Sequence, residues 1–126
     1  MNTPTLFAAD LLVMATSAAS ATASDASAPI GEWQIADGTA NVAIRPCGPD
    51  LCGFVTWSKN AANVVGREVL IDMKPDGDLW SGTVVNAVDG VRYDARMSLV
   101  SDSVLKIEGC VLGGIFCGDQ QWSRVK

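Results

Sequence analysis

Two tryptophans bracket the foldable part of this chain: Gly31-Glu32-Trp33 opens the first extended segment, and Trp122-Ser123-Arg124 closes the last. Between them, short stretches alternate apolar and polar side chains with period two and are punctuated by turn residues, and no stretch is convincingly helical. The two ends therefore read as the first and last strands of one closed sheet. Residues 32–36 lead into the hairpin signal Asp37-Gly38, and alternation resumes over residues 41–45. A reversal at residues 46–50 is followed by residues 51–57, with Leu51, Gly53, Val55 and Trp57 expected on one face. After a polar link at residues 58–63, residues 68–74 place Val69, Ile71 and Met73 together, and Pro75-Asp76-Gly77 turns the chain. Trp80, Gly82 and Val84 alternate in the next segment, and beyond Val88-Asp89-Gly90 the cleanest pattern of all sets Val91, Tyr93, Ala95, Met97 and Leu99 against Arg92, Asp94, Arg96 and Ser98. Leu105 and Ile107 continue it, Gly113-Gly114 bends the chain, and residues 120–125 make the last strand. These segments add up to about eight strands, an all-β, antiparallel up-and-down barrel whose interior is just filled by side chains or able to hold one small ligand.

The chain of 126 residues suffices for one domain, expected over residues 30–126. Residues 1–23 read as an export signal, apolar from Leu6 and ending in small residues around Ala19-Ser20-Ala21 and Ala21-Thr22-Ala23, although no Lys or Arg precedes the apolar run and Asp10 interrupts it. The run is too short and too polar at its end to be a membrane span. Residues 24–29, small and polar, suit a flexible lead. Cysteine usage points to export into an oxidising compartment as well: Cys47 and Cys52 form one close pair, Cys110 and Cys117 another. Four cysteines allow three connectivities, of which local pairing brings the sulfurs together without any tertiary assumption. A four-cysteine zinc site is the rival, but the spacings do not make two Cys-x2-Cys knuckles, so no metal is expected.

Several ordered motifs together resemble the exported bacterial proteins of the Domain of Unknown Function 2147 family. They are Gly31-Glu32-Trp33; the run from Val42 through Pro46-Cys47-Gly48-Pro49-Asp50-Leu51-Cys52-Gly53, with Val55 and Trp57; Trp80-Ser81-Gly82; Asp89-Gly90-Val91-Arg92-Tyr93; Leu105-Lys106-Ile107-Glu108-Gly109; and Gln121-Trp122-Ser123-Arg124-Val125. The likeness spans about Gly31 to Val125, with a shortened stretch at residues 59–63 where relatives carry an acidic one. It implies a periplasmic or secreted, lipocalin-like (calycin) barrel with no settled activity. In a lipocalin-like barrel the terminal arginine lies across the first tryptophan, so Trp33 and Arg124 are the implied structural plug, a cation–π pair.

Composition prunes the chemistry. The chain has no histidine, which removes Ser–His or Cys–His nucleophilic catalysis and most zinc hydrolysis. Beyond residue 23, thirteen acidic residues oppose nine scattered basic ones, so no nucleic-acid partner is expected. Asp72, Asp76, Asp78, Asp89 and Asp94 are the carboxylates available for acid–base work, but most sit at turns, where Asp bonds its own backbone. The expectation is a binding protein, with no catalytic residues and no cofactor, holding a small apolar or amphipathic molecule against Val55, Trp57, Trp80, Tyr93 and Met97. The alternatives are an envelope protein–protein interaction module with a filled barrel, and, behind it, a carboxylate-based enzyme.

Overall fold

The computed structural model describes residues 28–111 and 116–126. The expected export signal, most of the flexible lead and the Gly113-Gly114 bend lie outside the described residues. Eight antiparallel strands follow one another around a closed barrel in chain order. They are β1 (Gly31–Gln34), β2 (Ala40–Cys47), β3 (Asp50–Ser58), β4 (Glu68–Asp76), β5 (Leu79–Val85), β6 (Arg92–Ser101), β7 (Val104–Val111) and β8 (Phe116–Arg124). This is the expected up-and-down, lipocalin-like barrel. A three-residue 3-10 turn, Ala62–Val64, lies between β3 and β4. Among the described residues no helix is long and apolar enough to cross a membrane.

The turns follow the local chemistry. β4 and β5 are joined by Gly77-Asp78, where Gly77 takes φ +66°, a left-handed conformation that costs glycine nothing. Asn86 organises the β5–β6 turn by accepting from the Val88 N–H at 2.9 Å, and Asp89 accepts from the Val91 N–H at 2.8 Å.

Of the register shifts that bend the sheet, those on β3 and β4 re-aim side chains. On β3, Val42 pairs with Val55 but Asn41 pairs with Trp57, so Thr56 is an extra residue. On β4, Leu70 pairs with Gly53 but Glu68 pairs with Phe54, leaving Val69 extra. Further along β4, Ile71 pairs with Thr83 and Lys74 with Ser81, so Asp72 and Met73 together oppose Gly82. Asp72 takes φ +49° there, and a Cβ on Gly82 would lie 2.6 Å from the Ile71 carbonyl oxygen and 2.8 Å from that of Asp72. Val69, Leu70 and Met73 are consequently buried while Ile71 is only half-buried, in place of the Val69, Ile71, Met73 face expected from simple alternation.

The lower half of the barrel is packed solid by Trp33, Ile44, Leu70, Met73, Met97 and Leu105, all fully buried, with Trp80 beside them. Trp33 donates its indole N–H to the Pro29 carbonyl at 2.9 Å. The Arg124 guanidinium carbon sits 4.2 Å from the Trp33 ring centroid. Its Nε donates to the Asp102 carbonyl (2.6 Å), Nη1 to Ile30 (2.9 Å) and Nη2 to Ala28 (2.9 Å). One side chain thus ties the entering segment, the β6–β7 turn and the first strand together beneath the core.

Candidate functional site

The packing changes along the barrel axis. Hairpins β1–β2, β3–β4, β5–β6 and β7–β8 surround one end, and there the interior opens into a cavity of about 720 Å³. Val42, Val55, Val69, Val84 and Ile107 supply its apolar wall, and Trp122 lines it too. Polar groups join them in Thr39, Ser58, Asn86, Tyr93 and Gln120. Gln120 Oε1 accepts the Trp122 indole N–H at 2.7 Å, satisfying a donor that would otherwise be buried bare. The volume lies within the range of small-molecule pockets, which are mostly apolar with a few placed polar groups.

The β3–β4 link folds over one side of this mouth. Val64, in the 3-10 turn, is buried and lines the cavity. The link is fixed by bonds from Gly66 N–H to the Val55 carbonyl (2.7 Å) and from Val55 N–H to the Arg67 carbonyl (3.0 Å). Arg67 then reaches across to the Ala87 carbonyl at 2.6 Å, joining two neighbouring hairpins. On the β1–β2 turn, Asp37 accepts from the Thr39 hydroxyl (2.6 Å) and the Thr39 N–H (3.0 Å). The hydroxyl first, and then the backbone N–H, stabilise the charged form and hold the carboxyl below its ordinary pKa.

Of the five residues expected around a ligand, Val55 and Tyr93 line the cavity. Trp80 and Met97 do not. They pair across β5 and β6 and lie deeper, in the packed floor, where Met97 is fully buried and the Trp80 N–H has no partner among the described residues. Trp57 faces outward and is 42% exposed, because the extra residue Thr56 reverses the alternation of β3 and hands the inward position to Ser58. Val84 and Ile107 belong to the alternating sets already visible in the sequence. Val64 carried no such signal, since it sits in a link without periodicity.

Both cysteine pairs are disulfides in the local connectivity, Cys47–Cys52 and Cys110–Cys117. Asp72 lies beside the first and Glu108 beside the second, but bonded sulfurs have no thiolate to give a metal. Asp72, Asp76, Asp78, Asp89 and Asp94 are all exposed, on β4, the β4–β5 turn, the β5–β6 turn and β6.

A family model described as "Uncharacterized protein conserved in bacteria (DUF2147)" matches residues 31–124, from the first residue of β1 to the last of β8. The chain belongs to the DUF2147 family. No curated protein and no solved structure matches it. In this DUF2147 protein the motifs quoted above occupy structural positions: Trp33 and Arg124 meet in the plug, Trp80-Ser81-Gly82 crosses the β4 bulge, and the Cys47–Cys52 run closes the β2–β3 turn. The cavity wall draws instead on single residues of successive strands, so the DUF2147 barrel joins a fixed floor to a separate open chamber.

Proposed function

We propose that this protein is an exported carrier that holds one small amphipathic molecule, apolar part inward against the valines and polar part at the mouth. The observation that carries the reading is the cavity itself: about 720 Å³, walled by Val42, Val55, Val69 and Val84 and edged by Thr39, Ser58, Asn86 and Gln120. Burying an aliphatic chain there gains ~0.8 kcal/mol per methylene, while a headgroup keeps polar partners at the rim. Two disulfides support an oxidising compartment. Binding is favoured over catalysis because the chain has no histidine and its candidate aspartates sit apart and exposed.

The test is titration with 1-anilinonaphthalene-8-sulfonate, competed by lauric acid, in the wild-type chain and in Val84→Trp. Val84 points into empty volume, so an indole there occupies the chamber without overfilling the floor. Saturable, lauric-acid-sensitive binding that Val84→Trp removes at unchanged melting temperature is the expected result. Absence of binding to wild type, or equal binding to the variant, would overturn the reading.

A further inference from the structure

The closure of the barrel is lopsided. β1 and β8 share two registered pairs, Trp33–Arg124 and Gln34–Ser123. Downward, the seam continues through Val125 N–H to the Glu32 carbonyl (2.7 Å) and Glu32 N–H to the Lys126 carbonyl (2.9 Å). Upward it stops. After Gln34 the chain folds back, with Ile35 N–H on the Ala40 carbonyl at 3.0 Å, whereas β8 runs on beyond Ser123 to Phe116, roughly 20 Å of strand at 3.3 Å per residue.

The direction of the backbone groups on that overhang follows from hydrogen-bond parity. Arg124 N–H donates to the Ser103 carbonyl at 2.9 Å, and the β7–β8 register runs without a shift from Val104–Ser123 to Val111–Phe116. In an antiparallel pair, alternate residues turn both backbone groups to the same neighbour. The even-numbered residues of β8 therefore bond to β7, and Gln121 and Asp119 aim theirs at the flank that β1 has left. Neither has a backbone partner there among the described residues. The residues from Cys117 to Gln121 are all exposed, including Gly118 and Gln120, which share the inward phase of Trp122. The same gap opens into the chamber, since Ile35 and Thr39 from one side and Gly118 and Gln120 from the other line it.

We propose that this seam is a docking edge for an extended segment of a partner protein, which adds as a strand beside β8. Gln121 and Asp119 each offer it one donor and one acceptor. The occupant's chemistry is set by the two faces. Side chains on the inner face of the added strand enter the valine-lined chamber and are aliphatic. On the outer face Asp119 pairs with Glu108 across the β7–β8 ladder, a like-charge juxtaposition for which Asp119 has no ion-pair partner among the described residues. Glu108 has Arg96 at 4.0 Å; Asp119 takes a basic residue of the partner. The segment recognised alternates aliphatic and basic side chains. The proposal goes beyond the carrier reading, because the main-chain bonds that hold the added strand are made at the seam and not in the chamber.

The probe is an acetylated, amidated heptapeptide alternating valine and lysine, with a valine–glutamate peptide as the charge control, added to the full chain. Amide hydrogen exchange should be fast at Gln121 and Asp119 in the free protein and slow at both with the valine–lysine peptide. Gln121→Pro removes a seam donor without touching the β7 ladder and should weaken peptide binding at least tenfold. Asp119→Lys should reverse the preference toward the glutamate peptide, and provides the reading if the proline variant does not fold. Slow exchange at these amides without peptide, whether relieved by removing residues 1–27 or by dilution, would assign the seam to the chain's own N-terminal segment or to a second copy, and overturn the proposal. So would failure of the valine–lysine peptide to bind, or wild-type affinity and preference in every folded variant.

Discussion

Replacing Arg124 by methionine isolates what the plug contributes. The methionine stem still covers Trp33, so packing is largely kept while the charge and all three donors are lost. Hydrogen bonds from a charged group are worth ~1.5–3 kcal/mol each, and the Asp102 carbonyl is exposed enough for water to replace its lost partner. Taking the low end for the Ala28 and Ile30 carbonyls, and ~1 kcal/mol for the stacked cation, gives an expected loss of about 4 kcal/mol. For a domain of this size that lowers the melting temperature by at least ~16 °C. Urea unfolding followed by near-ultraviolet circular dichroism measures it, with an unchanged m value showing that the same structure is lost. A destabilisation below about 1 kcal/mol would refute the reasoning, because the three carbonyls would then be as well served by water as by the guanidinium.

Gly82→Ala should destabilise by about 2–3 kcal/mol, since the new Cβ meets the carbonyl oxygens of Ile71 and Asp72, which are backbone atoms and yield little. Gly118→Ala, whose Cβ meets nothing, should be neutral or stabilising by ~0.4–1 kcal/mol; equal losses in calorimetry would contradict the bulge argument. In the folded chain Asp37 should titrate below its ordinary value, so its contribution to the β1–β2 turn is complete above the usual carboxylate range and is lost as pH falls through the depressed value. Side-chain carboxyl NMR should find the midpoint rising in Thr39→Val, and an identical midpoint in both proteins would rule out the hydroxyl as the leading cause.

Legibility in the sequence tracked the regularity of the ladder. Tyr93, Ala95 and Met97 on β6 pair without a shift to β5 and alternate as their spacing says they should. Their common face was therefore readable, and the strand number followed from the turns. What was hidden depended on single inserted residues. Thr56 moves Trp57 from inside to outside, and Val69 and Asp72 rearrange β4, yet nothing in the composition of β3 or β4 announces an extra residue there. Residues 35 and 36 look as strand-like as residues 32–34, so the early end of β1 was invisible too. The chamber was half legible for a different reason: Val55, Trp80, Tyr93 and Met97 all point inward, but depth along the axis, which divides floor from cavity, has no signature in a period-two pattern.

Ala28 and Lys126 are both bonded at the plugged end, to Arg124 and to Glu32. Anything anchored beside Ala28 or Lys126 is held on the side away from the chamber. A molecule fixed at those two residues stands with its opening outward, and its orientation is decided by the plug rather than by any contact at the mouth.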